Sequence, residues 1–174
     1  MANATNELII TAFGPEGVIM DLPVDGGSTI YKGTLCTQLT GTGMLVPYST
    51  ASAGSVVGVA QGDADNSAGA DAALRVRVET KRVYAFANGT AGDAFSEASL
   101  IGALVYGTDD HTVADNSNSL ARKPVGFFMG MEDGGKVRVY VDPCMAEIVR
   151  LLQTLTDTPA TADALRDNLV GIFG

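Results

Sequence analysis

The sequence predicts a mainly β protein: an antiparallel β-barrel or sandwich of short strands, with a flexible N-terminal arm and a C-terminal helical tail. Three observations carry that expectation. Twenty-one of the 174 residues are glycine and only 18% are charged, so turns are frequent and the apolar runs between them are short. Period-two runs recur along the chain, most clearly at 123–143 (KPVGFFMGMEDGGKVRVYVDP). After residue 144 the apolar spacing changes from two to helical. The expected organisation is an arm (1–7), one β domain (8–142) and a helical segment (143–174).

The elements follow in order. Residues 1–7 are small, polar and aperiodic. Residues 8–13 (LIITAF) read as a strand ended by Gly14-Pro15-Glu16-Gly17. Residues 18–24 (VIMDLPV) read as an edge strand or a strand end, because Pro23 cannot donate to a ladder. Residues 29–39 alternate loosely and divide at Gly33, and 47–54 read as a polar connection. Residues 55–61 (SVVGVAQ) and 74–78 (LRVRV) flank the polar insert GDADNSAGAD. Residues 82–87 (RVYAFA) and 99–106 (SLIGALVY) are further strands, and a turn at Gly107-Thr108-Asp109-Asp110 leads to 111–113. In 123–143, Val125, Phe127, Met129 and Met131 are expected on one face of the first strand. Val137, Val139 and Val141 are expected on one face of the second, with Asp133-Gly134-Gly135 as the turn. This pair resembles 55–78 in its order, Val-Gly-apolar, acidic loop, Val/Arg strand, which suggests a weak internal repeat.

Asp142-Pro143 then suits an N-cap followed by a first helical residue. Met145, Ile148, Val149, Leu152 and Leu155 form one helical stripe, with Glu147, Arg150 and Gln153 on the other side. Thr158 or Thr161 would cap a second short helix carrying Leu165, Leu169 and Ile172. Such a helical hairpin must pack on its own β domain, on a neighbouring subunit or on a larger partner, and the first is the preferred expectation.

The net charge of −9 opposes binding to nucleic acid or anionic membrane. No apolar run approaches the ~20 residues of a membrane helix. The N-terminus lacks a basic region followed by an apolar run, so a soluble protein made in the cytoplasm is expected. Cys36 and Cys144 make no metal-type spacing and are expected as buried free thiols.

Candidate chemistry is sparse. His111 lies beside Asp109 and Asp110 in a turn, with no serine or cysteine nucleophile in a strand–turn–helix context, and reads as an exposed turn histidine. Asp63, Asp65, Asn66 and Asp71 offer oxygen ligands, but the sixth and twelfth places from Asp63 are Ala68 and Leu74, so no calcium loop is formed. Gly134-Gly135-Lys136 precedes a strand rather than a helix and is not a phosphate loop. No cofactor, metal, catalytic residue or small-molecule substrate is expected.

Five stretches resemble bacteriophage head decoration proteins, also called capsid cement proteins. They are 55–60 (SVVGVA), 91–93 (AGD), 104–113 (LVYGTDDHTV), 124–127 (PVGF) and 137–141 (VRVYV). The likeness covers about residues 55–142, and the helical tail is an addition to the usual pattern. The resemblance implies a non-enzymatic protein of the virion. It would be assembled in the host cytoplasm on the outer capsid surface, often as a homotrimer, where it clamps adjacent copies of the major capsid protein. Asn3, Ala4, Thr5, Asn6, Glu7 and Leu8 are the candidate capsid contacts, since a polar arm can order against a partner by adding a strand. Ile148, Val149, Leu152 and Leu155 are the candidate trimer or tail-packing residues. The alternative is a carbohydrate- or receptor-binding β module of a phage tail or surface structure, for which Tyr84, Phe86, Tyr106 and Tyr140 would have to form an exposed platform. A third reading, a hydrolase on a β scaffold, is left with one histidine and no recognisable base.

Overall fold

The computed structural model describes residues 12–13 and 17–156, with side chains from 17 to 153. The expected arm, the contacts Asn3 to Leu8, the Leu155 side chain and the second helix lie outside those limits. The chain is mainly β. In order, its strands are β1 (Ala12–Phe13), β2 (Val18–Pro23), β3 (Thr29–Ile30), β4 (Leu35–Leu39), β5 (Leu45–Pro47), β6 (Gly54–Ala60), β7 (Ala64–Asp65), β8 (Arg75–Thr80), β9 (Arg82–Asn88), β10 (Leu104–Gly107), β11 (Thr112–Ala114), β12 (Pro124–Glu132) and β13 (Lys136–Val141). The helix α1 (Pro143–Thr156) follows them.

Strand pairing closes a small barrel. β9 pairs with β11, β11 with β10, β10 with β12, β12 with β13, and β13 returns to β9. Only the β9–β11 step is parallel. β1 adds to β9 through Ala12↔Tyr84 and Phe13↔Val83. Closure leaves this sheet few free edges. A second antiparallel sheet runs β2-β8-β6-β4-β5, and β3 and β7 pair as a ribbon. β2 is its edge strand and Pro23 its last residue, which fits both readings of that proline.

Two apolar clusters hold these layers. One joins Tyr84, Phe86, Val105, Val113, Val125, Phe128, Val137, Val139 and Val141 of the barrel with Leu35, Tyr48, Val56 and Val59 of the second sheet. The other joins Cys36, Ala60, Val76 and Val78 with Val24, Ile30, Leu45 and Ala64. Adjacent Leu35 and Cys36 enter different clusters, so the middle of the second sheet is buried on both faces. Tyr48 locks the two sheets together: its hydroxyl donates to the Gly107 carbonyl at 2.9 Å and accepts from the Lys123 N–H at 3.1 Å. Gly107 has room for no side chain there, because a Cβ would lie 2.5 Å from the Tyr48 ring.

The hairpin β12–β13 meets one expectation and corrects another. Val137, Val139 and Val141 are all fully buried, and Gly134 and Gly135 take positive φ in the turn. In β12, however, Val125 and Phe128 are buried while Phe127 is half-buried and Met129 exposed. Two register shifts cause this, one against β10 where Val125 bulges and one against β13 between Phe128 and Met131. Each adds a residue to β12 and turns the following side chains over. The inward positions become Val125, Phe128 and Met131, and Phe128 stacks on Phe95 with centroids 4.7 Å apart.

Other corrections are local. The 99–106 run is a strand only from Leu104, and the turn before it leaves Leu100 and Ile101 exposed. β5 lies just before the expected polar connection and overlaps it at Pro47, and β7 falls in the polar insert. The β7 loop is pinned rather than free. Asp63 accepts from the Lys32 N–H at 2.7 Å, Asp65 from the Thr29 hydroxyl at 2.9 Å, and buried Asn66 donates to the Ala70 carbonyl at 2.9 Å. Both cysteines are free, but only Cys36 is buried; Cys144 is exposed on α1. The two resembling strand pairs, β6–β8 and β12–β13, are both antiparallel and lie in different sheets.

Candidate interaction surface

α1 starts where the sequence places it. Asp142 caps it, its carboxylate accepting the Met145 N–H at 3.1 Å and its carbonyl the Ala146 N–H at 2.9 Å, with Pro143 in the first helical position. The helix packs on its own β domain, the preferred expectation, against β12, β6 and β10, but not chiefly through the apolar stripe. Pro143 and Ala146 are buried, and Glu147, Val149 and Arg150 are half-buried. Met145, Ile148, Leu151 and Leu152 are 46–49% exposed. Met145, Ile148 and Leu152 of the stripe therefore point away from the β body, while Val149 turns partly toward it.

The inward face works because its polar residues pair. Arg150 donates through Nε to Glu147 at 2.9 Å, and that hydrogen bond holds the guanidinium pKa above its ordinary value against the opposing effect of burial. Small Ala146 lets the helix approach closely, and the stems of Glu147 and Arg150 cover the surface beside it. What remains outside is one uncharged apolar strip on a chain of net charge −9.

Beneath α1 lies a cleft of about 370 Å3, lined among others by Ser55, Leu120, Arg122, Lys123, Glu147 and Arg150. Its cations are engaged. Arg122 donates to Asp93 at 2.7 Å and to Asn116 at 2.9 Å, bonds that hold the Asp93 carboxyl below its usual range. The Lys123 ammonium donates to the carbonyls of Ser52 and Gly54, and burial lowers its pKa.

The remaining ionisable groups serve the scaffold. Asp109 and Asp110 are buried rather than exposed, and His111 is half-buried. One oxygen of Asp109 accepts the N–H groups of His111 and Thr112 at 3.0 and 2.8 Å and so shapes the turn, while His111 Nδ1 lies 2.7 Å from Asp110. The three side chains present ligand-type atoms within 4.8 Å of one another. Between the sheets, Glu79 accepts from the Tyr84 hydroxyl, from the Gly17 N–H at 3.0 Å and from Arg82 at 3.1 Å. Burial opposes its charge, but these donors outweigh burial and hold its pKa below 4.5. Burial and the Glu79 carboxylate together push the Tyr84 phenol well above its ordinary value.

Of the aromatic residues a platform would need, Tyr84, Phe86 and Tyr106 are buried and Tyr140 is half-buried. The outward turn of α1 could not be read from the sequence, since the stripe is equally visible whichever way it faces. Leu151 was missed because it sits beside the stripe rather than in it. No helix among the described residues is long and apolar enough to cross a membrane. No protein-family model, curated protein or solved structure matches the chain.

Proposed function

We propose that this chain is a bacteriophage capsid decoration, or cement, protein. It binds the outer surface of the head and holds adjacent major capsid proteins together as a homotrimer, without catalysis or cofactor. The observation that carries the reading is the pairing of a β body packed around two buried apolar clusters with an uncharged apolar helix face turned outward. Such a molecule is equipped to bury surface against other proteins. The residues on which the resemblance rests support the same reading. Most of them form β6, β10, β11, β12 and β13, and four of those five strands belong to the closed barrel.

The test is to mix the full chain with purified expanded and unexpanded heads. Co-sedimentation with expanded heads, and a higher temperature of DNA release from them, is the expected result. Deleting residues 1–7 should weaken binding and leave the melting temperature unchanged. A chain that ignores both head forms would overturn the proposal.

A further inference from the structure

We infer that the outward face of α1 is a self-association seam, in which the α1 helices of neighbouring copies pack in parallel as a short three-stranded coiled coil. The inference rests on the reading of this chain as an assembling structural protein, and names the surface that does the assembling.

The spacing fits. Met145, Ile148, Leu152 and Leu155 follow one another at intervals of three, four and three, which is the a/d pattern of a coiled coil. Met145 and Leu152 take a, Ile148 and Leu155 take d. Cys144 and Leu151 fall at g and Val149 at e. Ala146, Glu147 and Arg150 fall at b, c and f, the positions furthest from a coiled-coil axis. Those are the residues turned toward this chain's own β body. The bodies therefore stand outside such a bundle and leave its axis clear.

The charge pattern also suits a second copy. Copies carrying −9 each repel, so a shared face must hold no like charges. From Pro143 to Thr156 the charged residues are Glu147 and Arg150, and they pair with each other on the inner face. The outward strip meets its own image without desolvating a charge. Of the four core positions, Leu152 at a and Ile148 at d are of the kind that favours three or four strands over two, and parallel helices around a rotation axis present identical faces to one another. The seam is only about two heptads long, but the Asp142 cap and the body contacts order each helix before it meets its partners, which lowers the cost of association.

Cys144 supplies the test. It is exposed at the start of the strip, whereas Cys36 is buried with its thiol pushed up to about 12, chiefly by burial and then by the Asp110 charge. A short bismaleimide added to the full-length protein should give Cys144–Cys144 covalent dimers. The double variant Ile148→Glu/Leu152→Glu should lower their yield about tenfold or more while the β-sheet spectrum and melting temperature stay unchanged. An oligomer that forms no Cys144–Cys144 product would overturn the parallel seam. A monomeric wild type whose double variant loses thermal stability would overturn it too, and would assign the face to residues 157–174 instead. Head binding is scored separately: a monomer that binds heads sinks the seam alone, and a cross-linked trimer that ignores heads sinks the capsid reading alone.

Discussion

β13 and α1 lie next to each other in the chain, and each carries one clear apolar stripe. The valines of β13 are fully buried, whereas Met145, Ile148, Leu151 and Leu152 of α1 are about half exposed. Periodicity identifies a face in both cases. What decides where the face goes is the rest of the surroundings. β13 is hydrogen-bonded on both edges, to β12 and to β9, so its register and its inward side are fixed by its neighbours. α1 has no such ladder. Its direction is set at Asp142 and by a body surface that accepts Ala146 and an Arg150–Glu147 pair. The helix spends its small and polar side on the body, which leaves the apolar side for something else.

That contrast can be broken from the barrel side first. Phe128→Ala removes the ring stacked on Phe95 and should cost about 3–5 kcal/mol, read as a lower midpoint in denaturant unfolding. A loss under about 1 kcal/mol would mean that the inward register of β12 is wrong. Next comes Glu79→Ala, which strands Tyr84, Arg82 and the Gly17 N–H around a buried gap and should cost about 3 kcal/mol.

The same residue gives a pH dependence. Its folded pKa lies below the ordinary value, so its contribution is present above about pH 4.5 and is lost as pH falls through the folded pKa. Melting temperature should drop on acidification below that point, and Glu79→Gln should flatten the drop. An unchanged slope would remove Glu79 from the account.

On the helix side the expected effects on folding are smaller. Asp142→Ala removes a cap and should cost about 1 kcal/mol, seen as faster amide exchange in the first turn of α1 with the barrel amides unaffected. Ile148→Glu or Leu152→Glu should move the melting temperature of the separated monomer least of all, within about 0.5 kcal/mol, because neither side chain is in a core.

Much of the fold was legible because valine alternation and glycine turns are local signals. The β12–β13 turn, the edge position of β2 and the Asp142-Pro143 helix start all follow from residues adjacent in sequence. The face of β12 was not legible, since its two bulges answer to partners on β10 and β13. Gly126 shows why: a Cβ there would lie 1.9 Å from the Tyr140 carbonyl oxygen, a constraint that exists only once the strands meet. β7 is held by side-chain bonds to β3 and its neighbours, so a short polar stretch became a strand without any periodicity of its own. The candidate surface was half legible: the stripe was visible, its orientation was not. The positions of Asp109 and Asp110 were not legible either, since their backbone partners are distant: the Leu35 N–H bonds the Asp110 carbonyl at 2.7 Å, and Asp109 bridges Ser49.

The most direct test is the mass of the full-length protein in solution, measured by sedimentation equilibrium over a range of concentrations. An outward, self-complementary α1 predicts a species of about three times 17.9 kDa that dissociates on Ile148→Glu/Leu152→Glu substitution. A particle of 17.9 kDa at every concentration would contradict it.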